Sequence, residues 1–140
     1  MTDPFDDKSP IYLQLVIIFK EKIANGTWPV GGRVDTVRDL AVQFRVNPNT
    51  VQRALAELER EKLVFSERTS GRFITSDEDT VRGVRDHLAN LCIREYADRM
   101  SRLGYGSDVI LKMTEEYIRE KRFSDNRGVR EKGEEKHDFD

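Results

Sequence analysis

The chain has 140 residues, 36% of them charged and 37% hydrophobic, with 24 lysines and arginines against 26 aspartates and glutamates. That length holds one small domain and an appendage but no large ligand-binding domain, and its longest apolar stretch, residues 15–19, falls far short of the roughly 18 residues of a membrane span. The acidic start, Met1-Thr2-Asp3-Pro4-Phe5-Asp6-Asp7, lacks the basic and apolar regions of a secretory signal, so the expected compartment is the cytoplasm.

Ser9-Pro10 reads as a helix start, serine capping and proline taking the first helical position, where its missing N–H costs nothing. Tyr12, Leu15, Val16, Phe19 and Ile23 then recur at helical spacing, so one stripe faces a core, and Asn25-Gly26 ends the helix. Trp28-Pro29-Val30-Gly31-Gly32 is turn-rich, with a short strand or extended link at Arg33-Val34. Thr36 opens a second helix with a capping-box-like partner in Asp39, and Val37, Leu40, Ala41 and Phe44 form its apolar face. After a very short turn at Arg45-Val46, Asn47-Pro48 caps a third helix that runs to about Arg60 with Val51, Ala54, Leu55 and Leu58 inward.

Residues 63–67 and 72–75 are apolar-rich runs separated by Arg68-Thr69-Ser70-Gly71, the pattern of a β-hairpin with a four-residue polar tip. Three helices followed by a hairpin make a winged helix-turn-helix, expected over residues 9–76. From Asp77 a long helical pattern runs to Leu103, on the order of 40 Å at ~1.5 Å per residue. Gly104-Tyr105-Gly106-Ser107 breaks it, and a last helix reaches about Arg122. These two helices carry more apolar surface than they can hide alone, so residues 77–122 are read as a dimerisation region through Val81, Val84, Leu88, Leu91, Tyr96, Met113 and Tyr117. Residues 123–140 are charged and unpatterned, and are read as a disordered tail that holds most of the acidic surplus. The expected fold class is therefore mainly α with a small β-hairpin, a winged helix-turn-helix followed by two helices.

In a helix-turn-helix the second helix presents its N-terminal residues to base edges in the major groove. Here those are Asn47, Asn49, Thr50, Gln52 and Arg53; amides suit adenine, arginine suits guanine, and threonine suits a base or a phosphate. Asn47 also serves as a cap. Arg38 lies in the first turn of the preceding helix, where the dipole disfavours a cation unless an anion such as phosphate is near. Arg45, in the turn, is a second backbone candidate; surface ion pairs with Asp35 or Asp39 are the plainer alternative for both. Arg68, Ser70, Gly71 and Arg72 form a basic tip of the kind drawn to a minor groove, although Ser-Gly also suits an ordinary turn.

Val37-Arg38-Asp39-Leu40-Ala41, Val46-Asn47-Pro48-Asn49-Thr50-Val51-Gln52-Arg53-Ala54-Leu55 and Leu58-Glu59-Arg60-Glu61-Lys62-Leu63-Val64 together resemble the DNA-binding domain of the GntR family. The NPNTVQRA stretch, the early PIYLQL segment and the short two-helix C-terminal part are similar to its YtrA branch, across roughly residues 9–122. The resemblance implies a homodimer on double-stranded DNA at an inverted repeat, often with GT and AC near its outer ends, commonly repressing transport-related genes. It also implies phosphate contact by Arg38, major-groove contact by residues 47–53, and a wing contact at Gly71. The chain departs from the family's PGDRLPS at residues 30–36, has Lys62 where many relatives have glycine, and carries fewer wing glycines.

Catalysis is not expected. His87 and Cys92 lie five apart, about 140° around a helix, so they share no face for nucleophile–base chemistry, and His137 falls in the tail. Cys92 is the only cysteine, read as a small buried residue, and no metal-ligand spacing or cofactor motif is present. A small-molecule effector is conceivable near Tyr96, Tyr105, Met113 and Tyr117 but is not indicated, since such a stripe is more often core. A winged helix used for protein contact is the rival reading that the overall acidity favours.

Overall fold

The computed structural model describes residues 5–137, with side chains through Asn126. The elements run α1 (Ile11–Ala24), α2 (Val37–Phe44), α3 (Pro48–Arg60), β1 (Val64–Glu67), β2 (Gly71–Ile74), α4 (Glu78–Arg102) and α5 (Ser107–His137). Two compact units divide after Leu91. The fold class expected from sequence is the one observed.

In the first unit the helical stripes meet. Leu15, Phe19 and Ile23 of α1, Leu40 of α2, and Val51, Ala54, Leu55 and Leu58 of α3 are fully buried together with Val64 and Ile74 of the hairpin. Each of these side chains apart from Ala54 contributes roughly 1.5–3 kcal/mol of transfer free energy. Phe19 anchors the cluster, 5.0 Å from the Trp28 ring and edge-on to Phe44 at 5.8 Å. The hairpin is antiparallel with Ser66 opposite Arg72 and Glu67 opposite Gly71. Its tip is therefore residues 68–70, one shorter than expected, because Gly71 at φ +100° already pairs as the first residue of β2. The extended link at Arg33-Val34 joins the hairpin edge: Arg33 bridges Phe73, and Val34 N donates to Arg72 O at 2.9 Å.

Four sequence expectations change. Ser9 does not cap α1. Pro10 occupies the cap position without a side-chain bond, and Gln14 ties the entry down by donating Nε2 to the carbonyls of Asp6 and Ser9, each at 2.8 Å. The first unit runs past residue 76, because Val81 and Val84, read as dimerisation residues, pack into its core and Arg85 Nε donates to Ala24 O at 2.9 Å. Cys92 is exposed rather than buried, as no described side chain from Cys92 to Asn126 is buried. The disorder expected from residue 123 is not what is observed as far as His137: α5 continues through a proline-free stretch whose Arg, Lys and Glu residues favour a helix while Gly128 and Gly133 do not. Residues 138–140 of that tail lie outside the described residues.

In the second unit, Tyr96 hydroxyl and Thr114 Oγ1 share a hydrogen bond. Exposed apolar side chains include Ile93, Leu103, Leu111, Met113, Tyr117 and Ile118. Among the described residues no helix is long and apolar enough to cross a membrane.

Candidate nucleic-acid interface

The turn between α2 and α3 aims the second helix. Thr36 Oγ1 accepts from Asp39 N at 3.1 Å and so fixes the start of α2, while Arg45 closes it in the left-handed conformation at φ 55°, donating its N–H back to the last turn. Asn47 Oδ1 accepts from Asn49 N at 2.8 Å, and Pro48 sets the first helical φ of α3. This cap consumes the Asn47 oxygen but leaves its amide NH2 outward-capable. Asn47, Asn49, Gln52 and Arg53 are exposed and Thr50 is half-buried, so the expected base-reading set does lie off the buried stripe.

Charge is disposed to match. The first turn of α3 contains no acid, and its unpaired N–H groups add the positive end of the helix dipole. Arg38, Arg45 and Arg68 are exposed and pair with no carboxylate among the described residues, so the alternative of surface ion pairs with Asp35 or Asp39 is not realised.

Three of the expected contact residues, Gln52, Arg53 and Arg72, have side chains engaged with other elements of the protein. The Arg53 guanidinium lies over the Tyr12 ring, 3.8 Å from its centroid, at a shallow cavity of about 360 Å³ lined by Ile11, Tyr12, Asn49, Thr50 and Arg53. Arg72, read as a minor-groove arginine, instead turns toward α3: its Nε donates to Glu59 Oε1 at 2.9 Å and its Nη2 to Gln52 Oε1 at 3.0 Å. Ser66 donates its hydroxyl to the same Glu59 oxygen. Partial burial pushes the Glu59 carboxyl up, but the bonds from Ser66 and Arg72 outweigh it and hold Glu59 below the usual glutamate range. The wing is thus braced against α3 by an ionised clamp.

Tyr12, Glu59 and Ser66 are participants that sequence reasoning missed. Tyr12 lay on the core stripe and was read only as core. Glu59 sits seven residues, two turns, after Gln52, a spacing that does place the two on one face. At Gly71 a Cβ would stand 3.4 Å from the Arg33 guanidinium, close to ordinary contact, so it is the positive φ of +100° that favours glycine there. In the second unit the expected effector region does not gather into one site: a cavity of about 390 Å³ is lined by Cys92, Glu95, Tyr96, Arg99, Met100 and Leu103, and of the four residues named only Tyr96 belongs to it. No group of three or more His, Cys, Asp or Glu among the described residues is placed to hold a metal ion.

Residues 11–74 match the model of the bacterial regulatory proteins of the gntR family. The chain is 33% identical over 113 residues to the HTH-type transcriptional regulator YhcF of Bacillus subtilis (strain 168), covering 80% of this chain and 93% of that protein. It is 38% identical over 72 residues to the HTH-type transcriptional repressor YtrA of the same strain, covering 51% of this chain and 55% of YtrA. Among solved structures, a GntR family transcriptional regulator from Listeria monocytogenes matches with a TM-score of 0.74 at 33% identity, over 80% of this chain and 98% of that one. A transcriptional regulator from Oenococcus oeni matches at 0.65 and 27% identity, over 84% and 97%.

Proposed function

The chain belongs to the GntR family of DNA-binding transcriptional regulators and is not an enzyme, and from that premise we propose that it is a homodimeric repressor acting in the cytoplasm on an inverted-repeat operator. The DNA-reading elements lie within residues 9–76, and dimerisation falls to the part of residues 77–122 that does not pack into the first core. The observation that carries this reading is the exposed N-terminal face of α3, which presents Asn47, Asn49, Thr50, Gln52 and Arg53 with no acid in its first turn, while Arg38, Arg45 and Arg68 are exposed and pair with no carboxylate among the described residues. Ser70, Gly71 and Arg72 complete the wing, with Arg72 acting from behind it.

Dimerisation is supported by the second unit, whose two helices bury none of their described side chains from Cys92 onward. Leu103 is 72% exposed, Leu111 69% and Tyr117 65%, apolar side chains that a second copy would cover. Val84, Leu88, Leu91, Tyr96, Met113 and Tyr117 are exposed or only partly buried and remain available to a second copy; Val81, buried in the first core, does not. Transport-related genes are the expected targets from the YtrA-branch resemblance.

Selection of duplexes from a random library by the purified protein tests the reading. An enriched inverted repeat, bound with a negative slope of log affinity against log salt, is the expected result. Enrichment of no motif, or binding indifferent to salt, would remove the DNA reading. Light scattering should give twice the 16.3 kDa chain mass; a monomer at micromolar concentration contradicts the dimer.

A further inference from the structure

The wing clamp fixes more than the wing. Gln52 and Glu59 look toward the hairpin from one face of α3, and Arg72 reaches both, bonding Glu59 through Nε and Gln52 through Nη2. Ser66, opposite Arg72 in the hairpin register, holds Glu59 from the other side. A guanidinium carries five donors and no acceptor. The Gln52 amide therefore faces Arg72 with its oxygen. Its NH2 makes no hydrogen bond among the described residues, and the side chain is exposed at the base-reading end of α3.

We propose that Arg72, anchored by Glu59, is a positioning residue that holds the Gln52 oxygen toward the wing and leaves its NH2 as the group offered to a base, so that Gln52 favours a keto base, guanine or thymine, over adenine. A free glutamine amide pairs bidentately with adenine, accepting from N6 and donating to N7. With one lone pair of its oxygen bonded to Arg72 and the oxygen held toward the wing, the amide is not free to set both ends on adenine, and the N6 bond is weakened. Guanine O6 and N7, and thymine O4, are acceptors that an NH2 group satisfies directly. Cytosine offers only its N4 donor to the groove and is refused as well. The inference rests on α3 being the major-groove helix, and it reverses the pairing that the amide alone suggests.

The test is random-library selection with the full-length protein, comparing wild type with Gln52→Ala, Arg72→Ala and Gln52→Glu, each checked for folding by circular dichroism. Gln52→Ala identifies the governed base position by relaxing it. Wild type should enrich guanine or thymine there. Arg72→Ala frees the amide oxygen and should raise adenine at that position about fivefold or more, leaving other positions alone. Gln52→Glu keeps a partner for Arg72 but has no donor, so the keto preference should disappear. Adenine preferred by wild type, a keto preference that survives Arg72→Ala, a Gln52→Ala profile identical to wild type, or uniform relaxation of every position by Arg72→Ala overturns the proposal while the DNA reading stands. If Arg72→Ala does not fold, Gln52→Glu decides, and a surviving keto preference overturns it. Failure of wild type to enrich any motif overturns the DNA reading, and the inference with it.

Discussion

Replacing Tyr12 tests whether the stack beneath Arg53 serves recognition. The guanidinium lies 3.8 Å from the Tyr12 centroid while Arg53 remains exposed beside Asn49 and Thr50. A cation–π contact is worth about 0.5–1 kcal/mol at an exposed site, and ordering one long side chain on binding costs about 0.5–1.5 kcal/mol. If Tyr12 holds Arg53 ready for DNA, its loss returns that ordering cost to the binding step. Tyr12→Leu, which keeps apolar bulk on the α1 stripe but removes the π face, should weaken operator binding roughly 3–10-fold. Tyr12→Phe keeps the ring and should stay within about twofold. Fluorescence anisotropy on a selected operator, with matched thermal melts, gives the affinities. The deciding measurement is the cycle with Arg53→Ala: once the arginine is gone, Tyr12→Leu should add nothing beyond about 0.3–0.5 kcal/mol. Tighter binding by Tyr12→Leu, or an undiminished loss in the Arg53→Ala background, would refute the argument, since the ring would then be sequestering Arg53 or acting through the fold.

Arg38→Ala should weaken binding to all duplexes alike and make the slope of log affinity against log salt shallower by about one, as titration of binding against salt reads directly. Lys62 sits at φ 62° in the break between α3 and β1, where an L side chain costs roughly 1–2 kcal/mol and glycine gives back about 0.5–1 kcal/mol in unfolded-state entropy. Lys62→Gly should therefore raise the denaturation midpoint modestly and Lys62→Val lower it; the reverse order would remove the strain assignment. Glu59 is held below its ordinary value of 4.5 by Ser66 and Arg72 against partial burial. A carboxylate lowered on folding contributes stability above its unfolded value that is lost as pH falls through the folded one. The melting-temperature gap between wild type and Glu59→Gln should stay constant above about pH 5 and shrink below pH 4.5.

The winged helix was legible because its elements are amphipathic in ways sequence spacing records. Val51, Ala54, Leu55 and Leu58 recur at helical spacing and all four are buried, and the Thr36 and Asn47 caps were readable from the residue types alone. Periodicity says which face is buried but not what the edge of that face meets. It placed Tyr12 on a stripe without showing that its ring stays open to Arg53, and it placed Val81 and Val84 on a stripe without showing that they close over the first core. The clamp joins positions 13 and 20 residues apart, so only the hairpin register and the α3 face, combined, could have predicted it. Apolar patterning ends near Arg122, and with Gly128 and Gly133 beyond it nothing in the spacing marks where α5 stops, at His137.

The formal charge of −2 is a poor guide to what a duplex meets, because the acids of α3 and of its C-cap, Glu61, are occupied. Glu57 pairs with Arg60, Glu59 with Arg72 and Glu61 with Lys20, while the cations near its N-terminal end carry no such partner. Binding therefore depends on how charges are paired, and beyond about 10 Å at 0.1 M salt a summed charge is largely screened. Glu59→Gln separates the two views. It makes the chain less acidic, so a net-charge argument expects uniformly tighter binding to any duplex. The pairing argument expects Arg72 to loosen from α3, which raises affinity for scrambled DNA more than for the operator. The ratio of operator to scrambled affinity at fixed salt should fall several-fold, and an unchanged ratio would show that the clamp only stabilises the wing.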